Sequence, residues 1–203
     1  MLLNPNRRIA SIAQTCDTLR MTNIIAKPLS GPNWPILAIL ASLAMLLGAH
    51  AFEIIGKFAP CPLCLRQRDV YWAAVAMAVA GLVLWQRKPA NRYLVALNIM
   101  LGLVFLTGAI VATYHAGVEW KFWAGPSECS GGAGDITNID LLDSLSRPVA
   151  TVSCADAPWT LFGISMAGYN ALVSFALVIA SFIAARVTYQ NARRALAAQT
   201  ETS

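Results

Sequence analysis

Four runs of this sequence are apolar for long enough to cross a lipid bilayer, and they restrict the chain to few architectures. They cover residues 35–55, 70–85, 93–114 and 161–185. A helix of about twenty apolar residues matches the ~30 Å hydrocarbon core of a bilayer. Composition agrees: hydrophobic residues make up 57% and charged residues 12%, with mean hydropathy +0.57. A soluble domain carries about a quarter charged residues. The expected fold is therefore all-α, an integral membrane four-helix bundle spanning residues 35–185. The formal net charge of +5 then carries no nucleic-acid signal and reads, segment by segment, as orientation.

The N-terminal segment 1–34 holds Arg7, Arg8, Arg20 and Lys27 against Asp17 alone, and no apolar run in it is long enough to insert. The 86–92 turn carries Arg87, Lys88 and Arg92, and the 186–203 tail carries Arg186, Arg193 and Arg194. Positive residues stay on the cytoplasmic side, so both termini are expected there. Loops 56–69 and 115–160 then face the opposite compartment. Ala49-His50-Ala51 has the look of a signal-peptidase site. Cleavage is not expected, because the apolar run continues through Phe52, Ile54 and Ile55. His50 and Glu53, three residues apart, share a helical face. In the second span Ala73, Ala74, Ala76, Ala78, Ala80 and Gly81 form a packing face. Gly102 and Gly108 in the third are expected contact points, because small residues let membrane helices approach.

The loop 115–160 is acidic, with Glu119, Glu128, Asp135, Asp140, Asp143 and Asp156 against Lys121 and Arg147. Ser130-Gly131-Gly132-Ala133-Gly134 follows no strand and lacks dinucleotide spacing, so it reads as a hinge rather than a phosphate cradle. Ile136, Ile139, Leu142 and Leu145 recur every three residues. They suggest a short amphipathic helix, lying on the membrane surface or packed on the protein.

Five cysteines are present. Cys16 falls in the cytoplasmic segment, where thiols stay reduced. Cys61, Cys64, Cys129 and Cys154 all fall on the outer, oxidising side. Four cysteines admit three pairings. Cys61 and Cys64 stand in Ala59-Pro60-Cys61-Pro62-Leu63-Cys64-Leu65-Arg66-Gln67-Arg68. Leu65 after the second thiol excludes c-type haem attachment, which needs His there. A zinc site wants its ligands at one closed centre, usually with a second short pair, and Cys129 and Cys154 are far apart in sequence. No metal is expected. Thiol–disulfide exchange is: Cys64 at a helix start beside Arg66 and Arg68 is placed to be a thiolate, and Pro62 stiffens the ring. A second pair on the loop would make a relay, one pair fixed and one mobile. Two static disulfides stapling the loops remain the alternative. No flavin, nicotinamide or haem motif is present, so electrons leaving a relay need a membrane-dissolved acceptor. A quinone at the helix ends fits, with Arg68 stabilising its developing negative charge.

The segment 60–68 resembles the signature of the bacterial disulfide bond formation protein B (DsbB) family. Tyr114-His115 ahead of Cys129 resembles it too, as do Trp159 after Cys154 and Leu161-Phe162-Gly163-Ile164-Ser165-Met166. The resemblance runs from about residue 35 to 185. It implies a multi-pass protein of the bacterial inner membrane whose loops face the periplasm. It also implies a thiol:quinone oxidoreductase that reoxidises a periplasmic thioredoxin-fold (DsbA-like) thiol oxidase. Cys129 would form the mixed disulfide with that partner, with Cys154 as its loop partner. Cys64 would contact ubiquinone or menaquinone, and Cys61 would be the exchange partner that Cys154 reaches. Arg68 and His115 would bind the quinone. A non-catalytic membrane scaffold with two structural disulfides is the competing reading, and a relay running in the reductive direction a third. The basic N-terminal extension with Cys16 and the glycine-rich loop depart from the family pattern.

Overall fold

The computed structural model describes residues 28–126, 129 and 153–201. Cys16 and most of the basic N-terminal segment lie outside the described residues. So do the glycine-rich 131–134 stretch and the expected amphipathic helix through Ile136, Ile139, Leu142 and Leu145. The architecture is an all-α membrane bundle. Among the described residues four helices are long and apolar enough to span a bilayer: α1 (Asn33–Ile54), α2 (Pro62–Arg87), α3 (Asn91–Glu119) and α4 (Met166–Glu201).

The helices start and stop where local chemistry directs. Pro35 lies in the first turn of α1, where its missing N–H would have had no helical partner anyway. The chain leaves α1 through Gly56 and then Lys57, whose φ of 58° lies in the left-handed region. Cys61 is the N-cap of α2 in an extended conformation, with Pro62 at the first helical position, where its fixed φ suits a helix start. Lys88-Pro89 closes α2 before α3 begins at Asn91.

Packing follows the small residues. α3 and α4 share the most extensive interface; α2 packs on α3, and α1 on α2. A Cβ at Gly102 would stand 3.1 Å from the Phe182 ring, and one at Gly108 would stand 3.0 Å from Val70. Both glycines are therefore the contact points the sequence indicated. Ala74 and Ala78 are buried together with Leu94, Leu101 and Phe105 in the central core. The indole N–H of Trp34 donates to Ser181 Oγ at 3.1 Å, joining α1 to α4. Leu47, Ile54, Ile110 and Phe175 are more than half exposed, as residues facing lipid should be.

The helices outrun the apolar spans read from sequence. α2 begins at Pro62 rather than residue 70, so the cysteine motif is the helix's own first turn and not part of a loop. α3 continues past residue 114 to Glu119, placing His115 and Glu119 in its last turns. Residue 161, the expected start of the fourth span, lies instead in a hairpin. Thr160–Leu161 (β1) pairs antiparallel with Ile164–Ser165 (β2). Phe162 (φ 50°) and Gly163 (φ 78°) form the turn, the positive-φ pair that two-residue hairpins favour. α4 then runs to Glu201, through what the sequence read as a separate tail from residue 186. Where a helix outruns its span, hydropathy marks the part inside hydrocarbon while the helix continues into water with polar residues; at the hairpin, Leu161 and Ile164 instead extend the apolar pattern of α4 backwards.

Candidate active site

The first turn of α2 holds the fixed cysteine pair. Cys61 Sγ accepts a hydrogen bond from the Cys64 backbone N–H at 3.2 Å, satisfying one of the donors a helix start leaves open. Its own S–H donates to Cys64 Sγ at 2.9 Å. The two are thiols, and Cys61 is buried. The hydrogen bond to Cys64, and then burial, push the Cys61 thiol far above the usual range. Cys61 thus keeps its proton while the Cys64 sulfur receives it as a hydrogen bond.

Cys129 and Cys154 are joined in a disulfide, and both are buried against Cys61, Leu63 and Val118. Of the three pairings open in the sequence, this is the one formed. Cys61 Sγ, Cys154 Sγ and a ring nitrogen of His115 all lie within 4.8 Å of one another. The two pairs therefore meet sulfur to sulfur, through Cys61 and Cys154. Lys121 holds the segment after Cys154 by donating to Asp156 Oδ1 at 3.1 Å, and that hydrogen bond, then the Lys121 charge, holds the Asp156 carboxyl below its usual range.

His115 is 3% exposed. Its Nε2 lies 3.6 Å from Cys61 Sγ and 3.9 Å from Glu119 Oε1. Its Nδ1 lies 2.8 Å from Gln67 Nε2. Gln67 Oε1 accepts from Asn170 Nδ2 at 2.5 Å, so the Gln67 amide nitrogen donates to Nδ1, and the imidazole proton sits on Nε2. Asn170 Oδ1 in turn accepts from the Tyr71 hydroxyl, which lies 3.1 Å from Ser174 Oγ. This buried chain, contributed by α2, α3 and α4, fixes the ring plane beside the sulfurs. The cluster Cys61, His115 and Cys154 offers soft donors, but the Cys154 sulfur is bonded to Cys129 and Nε2 carries the proton. The set therefore presents no ready lone pairs to a metal.

Cys64 borders a cavity of about 390 Å³. One wall is apolar, with Met45, Leu46 and Phe52 from α1. Trp159, 5.2 Å from the Phe52 ring and 6.2 Å from that of Tyr169, closes the far side. Arg68, His115 and Glu119 line the polar end. The lining is apolar along most of its surface and charged or polar at one end. Arg68 is mostly buried; its Nη1 donates to Glu53 Oε2 at 2.6 Å and its Nη2 to Ala49 O at 3.1 Å. Arg66, the other arginine of the motif, is exposed and borders neither the cavity nor the sulfurs.

All six residues singled out from sequence, Cys61, Cys64, Cys129, Cys154, Arg68 and His115, meet at this end of the bundle. Sequence reading did not find the second tier: Glu53 as the partner of Arg68, the Gln67–Asn170–Tyr71 chain, and Glu119. Two signals were available. Glu119 follows His115 by four residues and so shares its helical face. Asn170 is a polar residue inside an apolar span, a functional suspect by default.

Two cysteine pairs in contact beside an apolar cavity, on a four-helix membrane bundle, define a membrane-embedded thiol–disulfide centre. The chain belongs to the family of disulfide bond formation protein DsbB, whose model matches residues 32–184. It is 33% identical over 147 residues to disulfide bond formation protein B of Dechloromonas aromatica, covering 70% of this chain and 83% of the relative. It is 30% identical over 136 residues to the protein of that name from Methylococcus capsulatus, covering 64% and 79%. With that of Shewanella amazonensis the identity is 28% over 168 residues, covering 81% and 94%. No solved structure matches the chain significantly. The chain is thus a multi-pass membrane protein of disulfide bond formation, with a disulfide-forming oxidoreductase role.

Proposed function

We propose that the protein is a thiol:quinone oxidoreductase of the bacterial inner membrane that reoxidises a periplasmic thioredoxin-fold dithiol oxidase. The observation that carries this reading is the approach of Cys154 Sγ to Cys61 Sγ, within 4.8 Å, with Cys64 opening onto the apolar cavity.

The partner's thiolate attacks Cys129 and releases Cys154. The Cys154 thiolate attacks Cys61 in the oxidised Cys61–Cys64 pair and releases Cys64 toward the cavity. The partner's second thiol resolves the mixed disulfide, leaving the partner oxidised and Cys129 as a thiolate. Cys129 then displaces Cys61 from Cys154, restoring the loop disulfide and leaving Cys61 and Cys64 as a dithiol. Exchange of this kind needs a thiolate aligned on a sulfur, and the His115 Nε2–H beside Cys61 steadies the leaving sulfur. A bound quinone supplies the two-electron acceptor. Arg68, held by Glu53 and Ala49 O, presents a fixed positive charge where negative charge develops on its oxygen.

Anaerobic mixing of the purified protein with ubiquinone or menaquinone and a reduced thioredoxin-fold dithiol protein tests the reading. Quinone absorbance should fall in step with formation of the partner's disulfide. A partner that remains reduced while quinone absorbance stays constant contradicts it.

A further inference from the structure

Oxidising a dithiol releases two protons along with two electrons, and a quinone takes up two of each. The Cys61 proton needs an acceptor in the buried site. Cys64 Sγ lies nearest, at 2.9 Å, but it becomes bonded to Cys61 and cannot keep the proton. His115 is the next group, but Gln67 donates to its Nδ1, so Nε2 already carries a proton and faces Cys61 as a donor. Glu119 is the remaining candidate. Its side chain is 4% exposed, and among the described residues no lysine or arginine pairs with it. Oε1 flanks the same His115 nitrogen that Cys61 Sγ flanks, at 3.9 Å and 3.6 Å respectively. The other carboxylate oxygen accepts from the Ser165 hydroxyl of β2. Ser165 Oγ in turn accepts from the Gly168 N–H at 3.1 Å, which leaves its hydroxyl proton directed at Glu119. An ionisable side chain kept at this depth is costly and marks a working group. Glu119 also lines the cavity with Cys64, so it faces both the source of the proton and its destination.

We infer that Glu119 is the buried base that takes the proton from Cys61 as the Cys61–Cys64 bond closes and returns it to the reduced quinone. The step balances as follows. The Cys61 S–H bond breaks, the S–S bond forms, and two electrons leave the sulfur pair for the quinone. The Cys61 proton passes to the Glu119 carboxylate through water in the cavity that both residues line, and then to a quinol oxygen. The second proton, lost earlier when Cys64 became a thiolate, is replaced from water on the loop side. His115 acts as the donor that steadies the Cys61 thiolate once its proton has gone. Delivery to the quinol rests on the quinone reading; acceptance of the Cys61 proton does not.

The test separates the two. The full-length chain carrying Cys16→Ser, Cys129→Ser and Cys154→Ser is reduced, freed of quinone and mixed with 5,5′-dithiobis(2-nitrobenzoate). Attack by one thiolate releases the first coloured thiol, and ring closure by the other releases the second. Closure requires loss of the Cys61 proton. Adding Glu119→Gln, which keeps the shape and can still accept from Ser165, should leave the first phase unchanged and slow the second about tenfold or more. Glu119→Asp, which keeps a carboxylate, should recover most of the closure rate. Parental closure in Glu119→Gln, or closure as slow in Glu119→Asp as in Glu119→Gln, overturns the assignment. In the chain with its native cysteines, infrared spectroscopy during quinone mixing should show a transient carboxylic-acid band that Glu119→Gln lacks. Its absence from the parental protein while quinone is being reduced overturns delivery by Glu119. A parental protein that reduces no quinone contradicts the functional reading, while the quinone-free closure result still decides the base.

Discussion

Arg68 Nη1 and Glu53 Oε2 stand 2.6 Å apart, an ion pair that ties α2 to α1 across the wall of the cavity. It turns the charge of Arg68 from a free cation into a positioned one. The second guanidinium nitrogen is held by a backbone carbonyl of α1, so the side chain is fixed at two points.

Arg68→Gln should therefore lower kcat/KM for quinone by roughly tenfold to a hundredfold, the ~1.5–3 kcal/mol of a charge-assisted hydrogen bond. Glu53→Gln should cost less, about threefold to tenfold, because it loosens the guanidinium and leaves its charge; Glu53 is partly exposed, which weakens the pair through solvent screening. Steady-state kinetics with varied quinone checks both. Equal losses in the two variants would mean that the pair acts as one structural clamp.

Gln67 joins His115 to Asn170 inside the bundle. Gln67→Leu strands His115 Nδ1 and Asn170 Nδ2 without their partner, and a buried unsatisfied group costs about 1–3 kcal/mol. Thermal unfolding in detergent should show the loss. The exchange rate between the two cysteine pairs should fall as well, since the His115 ring is no longer held. Unchanged stability would mean that water replaces the amide.

Much of this was legible in the sequence because the relevant signals are local. Span count follows from hydropathy, and the cysteine motif with Pro62 predicts a helix start on its own. Arg68 stands out, with Arg66, because positive residues on the outer side run against the orientation that the basic segments set. The remainder depends on contacts between residues distant in sequence. Nothing local pairs Arg68 with Glu53, or Gln67 with Asn170, and the separation of Cys129 from Cys154 left three pairings open. Glu119 was masked for a different reason. It follows the apolar run and reads as one more loop acid, yet α3 continues through it and buries it beside His115. The 160–165 hairpin was masked because Leu161 and Ile164 extend the apolar pattern of α4 backwards.

Orientation is testable on exposed residues, since Cys61, Cys129 and Cys154 are buried and Cys64 is only partly accessible. Lys57 and Lys88 are both exposed and lie at opposite ends of α2. Lys57→Cys should react with a membrane-impermeant maleimide on intact cells with opened outer membranes. Lys88→Cys should react only after the inner membrane is permeabilised. The reverse pattern would invert the topology.

In Cys154→Ser, Cys129 loses its resolving partner. It should accumulate a mixed disulfide with the soluble dithiol partner, visible on a non-reducing gel. Cys129→Ser should form no such adduct although quinone still oxidises the Cys61–Cys64 pair. Adducts of equal abundance in both variants would mean that partner attack does not select Cys129.

The central claim is that electrons cross between the pairs through Cys61 and Cys154, whose sulfurs come within 4.8 Å. It is tested most directly in the Cys64→Ser, Cys129→Ser double variant, which leaves those two without their usual partners. Mass spectrometry of a non-reduced digest should find the Cys61 and Cys154 peptides joined by a disulfide in the protein as purified. Recovery of both as free thiols after mild oxidation of the folded protein would contradict the relay.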